Sequence, residues 1–552
     1  MQTNNQHSNH NKYKQKKILS LKKKSNTKLR ENLITWIQPL SMILGAVLVL
    51  FFLSRILDII LSSDYTFSKL FKQWIFLTDP EIAAHSISTM LEVVTAVLGV
   101  SITVVAIIIQ LSATRYTSRI IDLFITDKVN FIVFAIYIIP LVIGFWTLNS
   151  IDENFYSRFN TGLFMFFSTL GIVILLPYFN YVFRFLEPDN ISRKIEASAK
   201  FSISKVCEDR TRTFKARKNV IKSIEQLNDI TLNSMLQLNI TISHYGLYSI
   251  REILEFYYQK KNQLPEDWFN ISSDLLIGFS ETLINKINKD RTWLEMNFFK
   301  QYELVYIKSL NHIRDIGKAV AINTRHVGQN AAKAGDKKAV KFIIKSFNTF
   351  ILYALRERDI RTLNHLFYQY RLFTENITDI MQDYDLLEEI ATYFNYYALL
   401  AAKDKRNFFV LECVTYDLRN INEFTYNKHP KVIDRILKVF LTLDDQLRKT
   451  REEKTFLPGI RKSQAMLAGF FIMNDREDLA KKIYDDMKIE DVKFLESIKE
   501  SIFQVHTSEF WEIEDRGVSF YYIEENKRKS LEEFFDWFRK GAPKKNNSKP
   551  YK

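Results

Sequence analysis

Along the chain, apolar and polar positions follow two regimes that meet near residue 185. Before that point, long apolar runs alternate with short charged connections; after it, apolar residues recur every three or four positions with charges between them. Four of the early runs reach the roughly 20 residues that a helix needs to cross the hydrocarbon core of a bilayer. The first, "WIQPLSMILGAVLVLFFLS", covers about 36 to 54 and is followed by Arg55 and Asp58. The second has no charge between Val93 and Thr114. The third, "FIVFAIYIIPLVIGFWTL", runs from Phe131 to Leu148 with Pro140 at its middle, where the lost backbone donor predicts a kink. The fourth, Thr161 to Phe183, holds Pro177. About 35 largely polar residues precede the first run and no small-residue cleavage pattern follows it, so it reads as an uncleaved anchor rather than a signal peptide.

The second regime is helical almost throughout. "SIREILEFYYQ", "AVKFIIKSFNTFILYAL", "VIDRILKVFLTLDDQL" and "DLAKKIYDDM" each place apolar residues at helical intervals, and no window alternates as a strand would. At several junctions an apolar helix ends in a charged tight turn whose Asp is expected to cap the next helix: Asp336, Asp359, Asp404 and Asp475. Antiparallel helix pairs should result. The spacings of 23, 45 and 71 residues are irregular, so the pattern only faintly resembles a tetratricopeptide-type solenoid. The expected fold is all-α, with four transmembrane helices followed by a cytosolic helical bundle or irregular α-solenoid. Its expected parts are a disordered basic tail (1–33), a four-helix transmembrane domain (34–186), a cytosolic all-helical domain (187–540) and a disordered tail (541–552). Composition agrees, since the chain has 14 glycines where usage of about 7% would give nearly three times as many.

Charge sets the expected orientation. Residues 1–30 carry nine Lys or Arg and no acid, whereas the connection from Arg55 to Glu92 carries three against five acids. The N-terminus should therefore be cytoplasmic, and an even number of crossings returns the C-terminus to the same side of the plasma (inner) membrane. The basic tail reads as a topology determinant or as a contact with anionic lipid heads. Of the formal +14, residues 1–30 supply +9, residues 31–183 give −3 and residues 184–552 give +8. The last part is only mildly basic and has no groove-reading motif, so no specific nucleic acid binding is expected.

Candidate chemistry is sparse. The chain has no phosphate-cradling glycine loop, zinc-binding HExxH helix, nucleophile elbow or kinase signature, so no enzyme, cofactor or metal is expected. Cys207 and Cys413 read as reduced, buried thiols. His312 and His326, placed on one helix "SLNHIRDIGKAVAINTRHVGQN", would lie about 21 Å apart along its axis and cannot share a metal.

The second run continues as "ITVVAIIIQLSATRYTSRIIDLFITD". Gln110-Leu111, the aromatic Tyr116, Arg119 with the apolar pair Ile120 and Ile121, and Phe124 followed by Asp127 give it its character. In these positions it resembles an uncharacterised family of bacterial multi-pass membrane proteins, the domain of unknown function 2254 family, over about residues 35 to 190. Members commonly have Pro where this chain has Ser118, and their Ser-Pro-Gly-x-Asn-Asp-Pro segment is missing here. The resemblance implies a multi-pass membrane protein and no particular activity.

On a helical wheel, Glu92, Thr95, Ala96, Gly99, Thr103, Ala106 and Gln110 share one small and polar face of the second span. Glu92 and Gln110 are about 27 Å apart along the axis, near the two boundaries of a hydrocarbon core of roughly 30 Å. Such a face suits close helix packing in lipid, because small residues let backbones approach while hydroxyls find partners. It would also line a water path in an oligomer. Arg115, Tyr116 and Arg119 read as an interfacial anchor just past the cytoplasmic boundary. The expected protein is a homo-oligomer in the bilayer whose cytosolic residues 187–540 bind a protein partner or sense membrane state. The alternative is an oligomeric ion channel or transporter lined by the second span.

Overall fold

The computed structural model describes residues 79–116, 120–125, 127–152, 157–271, 280–448, 453–509 and 516–540. The first predicted span, the basic tail and the C-terminal tail from Gly541 lie outside these residues. The chain divides into two compact units, 1–191 and 192–552.

The described part of the first unit holds α1 (Pro80–Arg115), α2 (Ile120–Ile125), α3 (Lys128–Asn149) and α4 (Arg158–Phe185). The second, third and fourth predicted spans fall inside α1, α3 and α4, which are long and apolar enough to cross a membrane. Helix α1 starts well before the uncharged run: Asp79 caps it by accepting from the Glu81 amide at 2.9 Å, with Pro80 at the first helical position. Its 36 residues extend about 54 Å, more than a hydrocarbon core of roughly 30 Å, so part of it projects from the membrane. Helices α3 and α4 run through Pro140 and Pro177 without ending.

These three helices pack on one another through a thin seam. A Cβ on Gly144 of α3 would stand 2.5 Å from the Phe164 ring of α4, so only glycine allows that approach. The Tyr137 hydroxyl donates to the Gly171 carbonyl at 2.7 Å, crossing the same interface. Just 22%, 28% and 22% of the three apolar windows is buried, which leaves side chains such as Phe131, Trp146 and Leu176 facing outward. That arrangement is stable where hydrocarbon replaces water and all backbone bonds are internal to the helices.

The helices from Pro188 onward are α5 (Pro188–Glu208), α6 (Thr213–Leu236), α7 (Ile240–Lys260), α8 (Glu266–Phe269), α9 (Glu281–Asp290) and α10 (Trp293–Ser309). They continue as α11 (Arg314–Lys333), α12 (Lys337–Glu357), α13 (Ile360–Met381), α14 (Tyr384–Ala401) and α15 (Phe408–Lys428). The last are α16 (Ile433–Leu447), α17 (Glu453–Met473), α18 (Glu477–Met487), α19 (Val492–Phe503) and α20 (Glu525–Lys540). From α10 on they form two rows. Helices α11, α13, α15 and α17 pack each on the next, and α10, α12, α14, α16 and α18 form the second layer. The first row starts at 314, 360, 408 and 453, in steps of 46, 48 and 45 residues. The second starts at 293, 337, 384, 433 and 477, in steps of 44, 47, 49 and 44 residues. This is a regular two-layer α-solenoid, not an irregular one, and each helix pair buries its apolar stripe only by stacking on its neighbours.

The irregular junction spacing read from the sequence has a simple origin. Asp336 and Asp359 do cap, accepting from the amides of Ala339 and Thr362, but they begin helices in different rows of the same repeat. Asp404 accepts from the Arg406 amide in the short turn that leads into α15. Asp475 caps nothing through its side chain; its backbone is left-handed, φ 57°, and ends α17. Asp383 is a further cap, of α14. The helix expected to carry both His312 and His326 is broken as well: Asn311 has φ 60°, His312 sits in the turn and α11 begins at Arg314. Cys413 is buried as expected, donating to Asn364 Oδ1 at 3.2 Å, whereas Cys207 is half-buried.

Candidate functional site

The face singled out on α1 points away from its two neighbours. Ala83, Ile87, Val94, Ser101, Val105 and Ile109 are the α1 residues buried in the bundle. Glu92, Thr95, Ala96, Gly99, Thr103, Ala106 and Gln110 are all exposed on other sides, and a Cβ on Gly99 would meet nothing within 4 Å. The Thr103 hydroxyl donates to the Gly99 carbonyl of its own helix at 2.9 Å, which satisfies it without a partner helix. The face is therefore kept together as a stripe but takes no part in the α1–α3–α4 seam. Of the three residues read as an anchor, Tyr116 is buried at the end of α1 and its amide closes the helix on Ser112 O. Arg115 ends α1, its side chain outside the described set, as is Arg119.

Sequence reading missed a polar cluster where α2 meets α3. Asp127 caps α3 through the Val129 amide at 3.0 Å and accepts from the Tyr181 hydroxyl of α4 at 2.6 Å. One turn on, the Asn130 side chain donates to Phe124 O at 2.6 Å and accepts from the Tyr178 hydroxyl at 3.3 Å. These bonds tie the α2–α3 corner to the end of α4. Polar groups at the margin of apolar helices are costly unless paired, and here they are paired with one another. The signal was available in the sequence as Asn130, Tyr178 and Tyr181, three polar side chains inside or beside apolar runs.

In the second unit, buried ionic clusters pin the repeats together. Lys261 lies between Glu295 (2.6 Å) and Asp336 (2.5 Å), with the rings of Tyr257 and Tyr258 against its ammonium. Burial disfavours its charge, but the two carboxylates outweigh that and hold its pKa above the ordinary lysine value. Asp417 accepts from Arg371 of the preceding repeat at 3.0 Å and, bidentately, from Arg516 of the C-terminal segment at 2.8 and 2.9 Å. Arg461 pairs with Asp444 (2.9 Å), Asp486 (2.5 Å) and Glu490 (2.8 Å). The carboxylates of Asp444, Asp445 and Asp486 lie close enough to hold a cation, but the Arg461 guanidinium already bridges two of them. That pairing supplies the positive charge a metal would bring, and the trio reads as an ion-pair network. His326 stands with its Nε2 3.3 Å from Arg325 Nη2, and burial together with Arg325, Arg251 and Lys333 pulls its pKa down to about 4.

The fold and these contacts define an all-helical membrane protein with apolar spans and an appended helical repeat. Residues 34–231, 198 of the 552, match the model of the family described as predicted membrane protein (DUF2254), and over that stretch the chain carries this family's pattern. The match takes in the spans and continues through α5 into α6, beyond the residues that carry the resemblance in the sequence. No curated protein matches the chain. Among solved structures, a circular tandem repeat protein with novel repeat topology and enhanced subunit contact surfaces aligns over 84% of this chain and 94% of its own. Identity is 12% and the TM-score 0.27, which is too low to imply a shared fold.

Proposed function

We propose that the chain is a membrane-anchored binding module: four spans with both termini in the cytoplasm at the plasma membrane, holding a solenoid that docks a protein partner. The observation that carries this reading is the two-row repeat of residues 293–487, whose period of 44 to 49 residues builds an extended, ion-pinned surface of the kind solenoids use for partners. The buried charges fit a structural role better than a catalytic one, because each described carboxylate at their centres is already matched by a Lys or Arg. Gentle extraction in native lipid, followed by mass and co-purification analysis, tests the reading. A stoichiometric protein partner that is lost when the solenoid is deleted supports it; a lone oligomer that conducts ions in liposomes rejects it.

A second reading, an oligomeric channel or transporter, is favoured by one observation. The stripe from Glu92 to Gln110 is unoccupied by α3 and α4, so copies of α1 could turn it toward a common water path. Against it stands the absence of an ionisable side chain between Val93 and Thr114, where transport sites usually place one. Flux through liposomes of the purified protein separates the two.

A further inference from the structure

Helices α5 and α6 form a hairpin, and the groove between them is basic far beyond the mild charge of the unit around it. The groove has a volume of about 490 Å³. Five of its ten lining residues are cationic, Lys205, Arg212, Lys215, Lys218 and Lys222, and none is acidic. Lys215, Lys218 and Lys222 follow one another at steps of three and four, so they stack along one face of α6 over about 10 Å. Lys205 and Arg212 are partly neutralised by Glu208 and Asp209 in the hairpin turn, at 2.8 and 2.9 Å. Lys215 and Lys218 have no carboxylate partner among the described residues. A row of like charges at these spacings is repulsive, and nothing in the hairpin's own packing requires it.

The floor of the groove is organised for hydrogen bonding. Asn219 donates to both Ser198 Oγ (3.1 Å) and Ser202 Oγ (2.7 Å), fixing the two hydroxyls of α5 opposite the α6 lysines. Ser202 passes its own proton to the Ser198 carbonyl at 2.9 Å, while the Ser198 hydroxyl, already an acceptor, has no acceptor of its own among the described residues. It is left as a donor facing the cations. Phe201, 62% exposed, borders the groove and lies 5.5 Å from the Lys205 ammonium. Three strong cations, one hydroxyl donor and an apolar ring at the rim match a phosphate with an attached carbon skeleton.

We propose that the α5–α6 groove binds a phosphate-bearing anion, with Lys215, Lys218 and Lys222 contacting the phosphate and Ser198 donating to it. The inference does not depend on the scaffold reading. Two sources share this chemistry: a phospholipid headgroup, since Ser198 follows the end of the last span by only 13 residues of chain, and a soluble phosphate ester.

The test uses the full-length protein in neutral maltoside micelles, with two probes titrated separately: inorganic pyrophosphate, and micelles doped with phosphatidylglycerol against phosphatidylcholine. Wild type is compared with Lys215→Gln/Lys218→Gln/Lys222→Gln and with the corresponding triple Arg variant. Each cation contributes roughly tenfold or slightly less at a charged surface, so the Gln variant should lose affinity about 100-fold and the Arg variant should retain it. Binding of the doped micelles alone identifies the headgroup as the source, and binding of pyrophosphate identifies a soluble ligand. The proposal is overturned if wild type binds neither probe above the phosphatidylcholine level, or if the Gln variant binds as wild type does. The basic tail is the same in all three proteins and cancels from the comparison. Unchanged melting of the Gln variant confirms that its loss is local, and Ser198→Ala gives an independent check, with a weaker loss in the same direction.

Discussion

The guanidinium of Arg461 and the carboxylate of Asp444, both completely buried, lie 2.9 Å apart between α17 and α16. Removing one partner of such a pair leaves an uncompensated charge away from water, which costs roughly 3–5 kcal/mol. Arg461→Met should therefore destabilise the solenoid by about that amount, because it strands Asp444 beside Asp486 and Glu490. Asp444→Asn should cost less, since Arg461 keeps two other carboxylates. Chemical denaturation of both variants checks the order; a smaller loss for Arg461→Met than for Asp444→Asn would contradict the assignment of Arg461 as the hub.

Two glycines in the membrane unit should respond in opposite ways. At Gly144 a Cβ would sit 2.5 Å from Phe164 and 3.0 Å from Leu91, so Gly144→Ala should lower stability in lipid by roughly 1–3 kcal/mol. At Gly99 a Cβ meets nothing, and Gly99→Leu should leave the α1–α3–α4 bundle intact. Any loss of oligomer in Gly99→Leu would then report a neighbour outside that bundle, so that packing on the stripe comes from another subunit or from the first span. Thermal stability and oligomer mass of both variants in nanodiscs are the measurements.

Much of the membrane unit was legible because a bilayer imposes one local rule, a long apolar run, and three predicted runs each lie within one observed helix. The start of α1 was missed by stopping at Glu92, although Asp79-Pro80 carries the cap and first-turn proline in plain view. In the solenoid, helix type was legible and the repeat was not. Its period is kept by contacts between residues almost 50 apart, such as Asn311 with Asp359 and Tyr397 with Asn348, and each repeat uses different side chains for them. Pairing without repeated residue identity leaves no self-similarity to read. The ionic clusters were hidden for the same reason: Arg516 reaches Asp417 across 99 residues.

The orientation rests on flanking charge and is open to direct labelling. Single cysteines at Asp64 and at Asp152, in a background with Cys207 and Cys413 replaced, should react with an impermeant reagent applied from outside. Reaction of either only after lysis would replace the arrangement of four spans with both termini inside.

His326 supplies the pH dependence of the solenoid. The Arg325 guanidinium can only donate, so the His326 Nε2 beside it at 3.3 Å is the unprotonated, accepting nitrogen of a neutral ring. Burial and the cations Arg325, Arg251 and Lys333 depress its pKa from 6.5 to about 4. Because the folded value lies below the unfolded one, the unfolded chain binds the extra proton between these limits, and stability from this residue is full above pH 6.5 and lost as pH falls through 4. The shift alone would amount to roughly 3 kcal/mol, and solvent screening of a half-exposed ring reduces it to about 1 kcal/mol. His326→Gln keeps an acceptor for Arg325 but cannot titrate. Between pH 7 and pH 4 wild type should lose about 1 kcal/mol more stability than His326→Gln. Buried acids such as Glu412, whose pKa burial raises, act in the opposite direction but equally in both proteins, so the difference isolates the histidine. Denaturant midpoints collected across that range measure it, and parallel pH curves for the two proteins would remove His326 as the acid-sensitive group.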